Sequence, residues 1–201
     1  MNNYEKGKRL IADSNFSVKK VKTFRGHDGQ GVNADVYHGR KKIAEVDDDG
    51  WGGGLSIHYF ENGEWTKAGG LQIPQIITDF LKTLPTHTYE EHFSNVGFSI
   101  DEDKKDEVME WNIEDFFNEL IYSVLARREF KKILRKVCAL KDDEGEKRIV
   151  SWKYKSSDLK KIYRTDNGVA PLSEILSKQG EVKILNLLPE EEAFDLLRKY
   201  A

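Results

Sequence analysis

The fold of this chain is decided by residues 18–60, VKKVKTFRGHDGQGVNADVYHGRKKIAEVDDDGWGGGLSIHYF. Four short segments in this stretch, 18–25, 31–38, 41–47 and 55–60, are alternating or β-branched and are separated by glycine-rich turns. Such a pattern is typical of strands that follow one another through short turns. The sequence therefore predicts an antiparallel β-meander in the N-terminal part of the chain.

The predicted sheet is continuously apolar on one face. Val32, Ala34 and Val36 share that face, because successive side chains of a strand point to opposite sides. A sheet with one apolar face needs helices to cover it. The first candidate is a helix that begins at Pro74, in a segment with apolar residues at helical spacing over 74–84.

The strongest helical signal lies in the C-terminal half, where apolar residues follow one face from Ile113 to Leu134. Asn112 is the expected N-cap of this helix. The remaining elements are a hairpin of 137–141 and 148–154 that turns at Gly145, helices at 157–163 and 171–178, a strand at 181–188 and a helix that begins at Pro189.

These elements predict an α+β protein, with an N-terminal antiparallel β-meander packed with helices and a C-terminal helix–hairpin–helix–strand–helix part. We expect a β-rich N-terminal lobe, 1–100, and an α-rich C-terminal lobe, 101–201. No linker rich in Ser, Pro or Gly separates them, so we expect the two lobes to form one compact unit.

Composition excludes several functional classes. The chain has 201 residues, 33% of them charged, and a formal net charge of −3, which favours neither a general nucleic-acid binder nor a strongly acidic DNA mimic. No apolar stretch approaches the ~20 residues of a membrane-spanning helix, and the N-terminal segment lacks the apolar core of a secretory signal. The single cysteine, Cys138, excludes an internal disulfide and is predicted to be a buried thiol. We expect a cytoplasmic protein that does not enter a membrane.

Two glycine-rich turns, 25–33 and 47–55, are the most unusual segments of the chain. Strand parity places both turns at the same end of the meander. Glycines allow backbone amides to approach a ligand, and an exposed Trp51 offers a stacking surface. The candidate partner-binding or ligand-binding residues are Arg25, His27, Asp28, Asp47, Asp49 and Trp51. The alternative interpretation is that both segments are polar hairpin turns.

Catalytic and metal-binding patterns are not evident. The acids of 47–49 lack the spacing of an EF-hand, and the chain has no Gly-x-Ser-x-Gly, Walker or HExxH motif. His87 and His92 are five residues apart, which is not the spacing of two ligands on one helix face. We therefore predict no catalytic residue, no metal and no cofactor, and we favour a non-enzymatic role.

A second candidate surface is the basic run RREFKKILRK at 127–136. Cations near the end of a helix suit the helix dipole, and they also attract phosphates or acidic partners. The residues of this basic patch are Arg127, Arg128, Lys131, Lys132, Arg135 and Lys136. Its two interpretations are a solvated helix end and a nucleic-acid-binding surface.

Residues 18–60 and 113–188 resemble small uncharacterised proteins of phages and bacterial mobile elements, and the first part is the more specific. The pattern is F-R-G, then A-x-V-Y, G-R-K-K-I-A-x-V, an acidic pair and a glycine-rich turn before an aromatic strand. The helix ending in ARREFKKILRK, the hairpin VCALKDDEGEKRIV and the strand EVKILNLL are also similar to that group. The group has no assigned activity, so the resemblance transfers no catalytic residue. It implies a phage or prophage accessory gene that acts in a bacterial cytoplasm.

The resemblance favours a non-enzymatic protein that binds a host or defence protein, including a counter-defence, anti-CRISPR-like inhibitor. The two glycine-rich turns would be its contact surface. The alternatives are a nucleotide or small-molecule binder that uses the same turns, and a nucleic-acid-binding protein that uses the basic patch.

Overall fold

The computed structural model of the protein describes residues 1–27, 29–61, 64–65, 73–94, 100–143, 146–157 and 182–200. The chain forms two compact units, Met1–Val124 and Leu125–Ala201. The boundary between them falls inside the longest helix, whereas the boundary predicted at residue 100 lies within the first unit.

The first unit begins with a helix and continues into a β-meander. Its elements are α1 (Asn3–Ala12), β1 (Phe16–Arg25), β2 (Gln30–His38), β3 (Lys41–Asp48), β4 (Ser56–Glu61), β5 (Glu64–Trp65), α2 (Gln75–Leu81), β6 (His87–Thr88), α3 (Tyr89–Phe93) and β7 (Val108–Met109). Helix α4 (Ile113–Ile133) crosses the boundary. The second unit continues with β8 (Lys136–Asp143), β9 (Glu146–Lys155), β10 (Val182–Ile184), a 3₁₀ turn (Leu185–Leu187) and α5 (Glu190–Tyr200).

The α+β class and the antiparallel meander are confirmed. The first sheet has the strand order β1-β2-β3-β4-β5, so each strand pairs with the next along the chain. The predicted helices at 74–84 and 113–134 form as α2 and α4, and Asn112 caps α4 by accepting a 2.8 Å hydrogen bond from the Asp115 amide. The helices predicted at 157–163 and 171–178 fall largely or wholly outside the described residues, as does Gly145.

Helices α2 and α4 contact the apolar face of the sheet through aromatic rings. Phe16 at the start of β1 packs against Phe80 of α2 and Phe116 of α4, with ring centroids 5.2 and 5.0 Å apart. Val36 and Val46 on the same face of the sheet are fully buried. Burial of such side chains stabilises the unit by roughly 1.5 to 3 kcal/mol each.

The opposite face of the sheet carries a network of ion pairs around Asp35. A β-bulge between Lys19 and Lys22 gives Lys20 a left-handed backbone, with φ of 52°, and brings its Nζ within 2.8 Å of Asp35 Oδ2. Lys42 lies 2.9 Å from the other oxygen of Asp35. Burial alone would raise the pKa of Asp35, but hydrogen bonds from the two lysines outweigh it and lower that pKa below its ordinary value.

Short regular elements lie among the described residues of 85–110. Strands β6 and β7 pair through His87 with Met109 and Thr88 with Val108. Helix α3 follows β6 directly and begins with a capping box, in which the Thr88 side chain accepts from the Glu91 amide and the Glu91 carboxylate accepts from the Thr88 amide. This two-way cap fixes the start of α3 directly after β6.

The second unit has its own buried core. Strand β8 lies between β10 and β9 in an antiparallel sheet, and Cys138, Leu185 and Phe194 are among the residues of the core cluster. The side chain of Asn186 ties the unit together, because it accepts from the Cys138 amide and donates to the carbonyls of Leu134 and Lys136. The strand predicted at 181–188 is shorter than expected, because the chain turns into the 3₁₀ helix at Leu185.

Candidate functional site

The turn after β1 and the turn after β3 touch each other through two glycines. A Cβ atom on Gly26 would lie 2.5 Å from the carbonyl oxygen of Gly50, and a Cβ on Gly50 would lie 2.9 Å from the Gly26 Cα. Gly50 also has a φ of 68°, which side chains rarely tolerate. The two turns are therefore as close as backbone allows.

Aspartates shape the second turn. Asp48 Oδ1 accepts a 2.8 Å hydrogen bond from the Gly50 amide, and Asp49 Oδ1 accepts a 2.9 Å hydrogen bond from the Trp51 amide. Such bonds from an Asp side chain to an amide two residues on are a common way to stabilise a turn. These carboxylates are therefore engaged by the turn itself.

The contact between the turns brings His27 and Trp51 together. Their rings stack with centroids 5.0 Å apart and an angle of 19° between the planes. Trp51 is nevertheless 63% exposed. We define the corner site as Arg25, Gly26, His27, Asp49, Gly50 and Trp51, where an aromatic pair is held in a fixed orientation but faces solvent.

Two further features surround the corner site. An open depression of about 590 Å³ lies beside the first turn, and Phe24, Arg25 and His27 are among its lining residues. On the other side, the glycine-rich turn leads to Leu55, whose amide donates a 3.3 Å hydrogen bond to Glu114 at the start of α4. This bond fixes the end of the turn that lies farthest from Trp51.

The predicted binding residues do not all lie in the corner site. Arg25 and His27 lie at the end of β1 and are at least partly exposed, and Asp49 and Trp51 belong to the turn that contacts them. Asp47 lies on β3, as the predicted strand 41–47 requires, and its carboxylate is bonded to the Asn33 side chain on the neighbouring strand. Asp28 lies outside the described residues.

The basic patch is partly neutralised by the last helix. Arg127 forms a two-pronged pair with Glu191, at 2.8 and 2.9 Å, and Lys131 lies 3.2 Å from Glu190. The hydrogen bond from Arg127 lowers the pKa of Glu191. Lys132 pairs with Glu129 in the same helical turn. The partners of these three cations therefore come from α5 and α4.

The other three residues of the basic patch differ in position. Arg128 is exposed on α4, Arg135 follows the helix and its carbonyl accepts a 2.9 Å bond from the Ser156 amide, and Lys136 begins β8. The six cations thus do not all belong to one helix, because α4 ends at Ile133.

A buried histidine pair was not predicted from the sequence. His87 Nε2 lies 3.0 Å from His92 Nδ1, and His92 Nε2 lies 3.8 Å from Asp115 Oδ1. The spacing of five residues argued against a pair on one helix, but His87 lies on β6 and His92 on α3. The capping-box pattern Thr88-x-x-Glu91 between them marks the start of a helix directly after His87. This pattern is the signal that could have indicated the contact between the two histidines.

Burial dominates the electrostatics of His87 and of Asp115. His87 is only 2% exposed, and burial followed by the nearby His92 lowers its pKa below the ordinary value of 6.5. Burial also raises the pKa of Asp115, although His92 opposes this change. Among the described residues, no group of three or more His, Cys, Asp or Glu is arranged to hold a metal ion.

The chain was compared with protein families, curated proteins and solved structures. No family model, no curated protein and no solved structure matches it. No helix of the described part of the chain is long and apolar enough to cross a bilayer. The corner site must therefore be interpreted from its own geometry.

Proposed function

We propose that the chain is a non-enzymatic binding protein that contacts a protein partner through the corner site. The observation that carries the proposal is the stacked but exposed Trp51 at the contact between two turns. Trp and Arg are enriched among the residues that dominate protein–protein binding energy, and the corner site contains one of each, Trp51 and Arg25. A side chain already fixed by stacking loses little conformational freedom when a partner covers it.

The partner in this proposal is a bacterial host factor, such as a protein of a defence system. The chain would then be a counter-defence, anti-CRISPR-like inhibitor encoded by a phage or another mobile element and acting in the bacterial cytoplasm. The support for this context is the resemblance of residues 18–60 and 113–188 to accessory proteins of phages and mobile elements.

The test starts with capture of partners from a bacterial host lysate and their identification by mass spectrometry. The affinity of the purified partner is then measured by calorimetry for the wild type and for the Trp51→Ala and Arg25→Ala variants. We expect Trp51→Ala to weaken binding about 30-fold, since the loss of a dominant contact costs about 2 kcal/mol or more.

Tyr122→Ala is the matched control, because Tyr122 on α4 is 62% exposed, almost the same as Trp51. Removal of either exposed ring changes folding stability by only about 0.5 kcal/mol, so a difference in binding reports the site. If Trp51→Ala and Arg25→Ala both bind as tightly as the wild type, the corner site is not the contact surface.

A nucleotide or other small planar ligand is the second candidate for the corner site. The observation in its favour is the open depression beside His27, next to a stacked aromatic pair on which a base could stack. A specific ligand raises the melting temperature by mass action. A thermal-shift series with nucleotides tests this candidate: a rise in the wild type that is lost in Trp51→Ala supports it, and no rise excludes it.

A further inference from the structure

Helix α1 is attached to the rest of the first unit through an aromatic cluster. The ring of Tyr4 is stacked on Trp111, with centroids 5.1 Å apart and planes within 7°. The same ring contacts His87 and His92, at 5.0 and 4.8 Å. Tyr4 therefore closes the cluster that buries the histidine pair.

The backbone of α1 comes unusually close to this cluster. A Cβ atom on Gly7 would lie 2.5 Å from the Trp111 indole, so only a glycine permits the approach. At the start of the helix, the Asn3 amide donates a 3.3 Å bond to Glu91, the acid of the α3 capping box. The position of α1 thus depends on the same elements that hold the two histidines.

The distance of 3.0 Å between His87 Nε2 and His92 Nδ1 allows one proton between the rings. This hydrogen bond can form between two neutral rings. It can also form when only the His92 ring is charged, because His92 can then donate to His87 and direct its other N–H towards Asp115. When both rings are charged, two N–H groups point at each other in a site with little access to water. The arrangement therefore tolerates one positive charge and not two.

The groups that face the pair come from every element packed around it. They are Tyr4 and Lys8 on α1, Glu91 on α3, and Glu114, Asp115 and Glu119 on α4. Lys8 Nζ lies 5.2 Å from the centre of the Tyr4 ring and 4.0 Å from the Glu119 carboxylate. Glu91 favours a charge on His87, but burial of His87 and the nearby His92 oppose it and outweigh Glu91.

We propose that α1 is a pH-released latch, which stays docked through Tyr4 while His87 is neutral and is released when His87 becomes charged beside His92. Release exposes His87 to water, where its pKa returns to the ordinary value. The docked state holds this proton less tightly, so docking is at full strength above about pH 6.5 and weakens as the pH falls below it. Protonation of Asp115 has the opposite effect on docking, because the pKa of Asp115 is raised in the docked state.

Hydrogen exchange measured by mass spectrometry tests the latch on the full chain between about pH 8 and about pH 5. The protection of the α1 amides is compared with the exchange of a synthetic peptide of residues 1–12, which corrects for the effect of pH on exchange itself. We expect α1 protection to fall by up to about tenfold per pH unit below about pH 6.5, as the uptake of one proton requires. Helix α5 in the same molecule is the internal control, and its protection should not follow this course.

His87→Phe keeps a ring in the cluster and removes the titrating group, so its α1 protection should be constant over the same range. If this variant does not fold, His87→Gln replaces it with the same expected result. Constant α1 protection in the wild type would overturn the proposal, and so would an equal loss of protection in the wild type and in the His87 variant.

Discussion

At the scale of single residues, two glycines allow the close contact between the turns of the corner site. Gly26 and Gly50 face each other across the two turns, and neither position leaves room for a side chain. Gly39 in the β2–β3 turn differs, because its φ is 59° but a Cβ atom added there would meet open space. Gly53 has neither constraint. A comparison of substitutions at Gly39, Gly50 and Gly53 therefore distinguishes the cost of steric crowding from the cost of backbone strain.

Alanine substitutions at these glycines should differ in cost. We expect Gly53→Ala to change the free energy of unfolding by less than about 1 kcal/mol, Gly39→Ala to lower it by about 1 kcal/mol and Gly50→Ala by about 3 kcal/mol. Chemical denaturation measures the three values. If Gly50→Ala costs no more than Gly39→Ala, the contact between the turns is not as close as the structure has it.

Helices α4 and α5 are the elements that decide whether the basic patch can bind nucleic acid. Glu190 and Glu191 of α5 pair with Lys131 and Arg127, and all four side chains are at least partly exposed. Exposed pairs contribute only about 0.2 to 1 kcal/mol to stability, so their removal leaves the fold intact. The pairs can therefore be broken to expose the patch.

The Glu190→Gln/Glu191→Gln variant should bind DNA more tightly than the wild type at low salt. The two freed cations add up to two phosphate contacts, so the dependence of log K on log salt should steepen by about 2. Gel shifts over a series of salt concentrations measure both quantities.

Asp101→Asn/Glu102→Gln is the matched control, because it changes the net charge equally but alters exposed acids that pair with Lys104 and Lys105. Equal binding by the two variants would mean that overall charge, and not the patch, attracts DNA. No binding by either variant at low salt would end the nucleic-acid alternative.

Long elements were predictable from the sequence, and short ones were not. The apolar face of α4 and the side chain of Asn112 define that helix locally, and the alternation in 18–60 defines the meander. Strands β6 and β7 have two residues each, and their pairing depends on residues about twenty positions apart. No local pattern predicts such a pairing. The approach of His87 to His92 differs, because the capping-box pattern Thr88-x-x-Glu91 between them is a local signal.

Some features of the corner site were likewise predictable from the sequence, and others were not. Strand parity was enough to expect the two turns at one end of the sheet, and the stacking of His27 on Trp51 agrees with that expectation. Parity also assigns Asp47, the last residue of the predicted strand 41–47, to the polar face of the sheet, where it is bonded to Asn33. The bonds of Asp48 and Asp49 to turn amides depend on side-chain conformations that a sequence does not specify.

The whole molecule consists of two compact units, each with its own buried core. Leu185 is fully buried in the core of Leu125–Ala201, and Val46 is fully buried in that of Met1–Val124. A substitution in one core removes contacts made within that unit. The two cores therefore allow the cooperativity of the chain to be measured.

Leu185→Ala should lower the protection of amides in β8 and α5 while leaving β2 and β3 close to the wild type. The loss of a buried leucine costs about 2 to 5 kcal/mol, which is large enough to measure by hydrogen exchange. Val46→Ala is the reciprocal variant and should give the reverse pattern. Equal losses in both units from either substitution would show that the chain unfolds as a single cooperative whole.

The bulge that brings Lys20 to Asp35 has a consequence for the behaviour of many copies in solution. Strand β1 is ten residues long and, among the described strands, pairs only with β2, so its outer edge resembles a template for pairing with another chain. The irregular backbone at Lys20 interrupts that edge, and Lys19, Lys20 and Lys22 place repelling charges along it. The bulge thus protects the protein from edge-to-edge aggregation at high concentration.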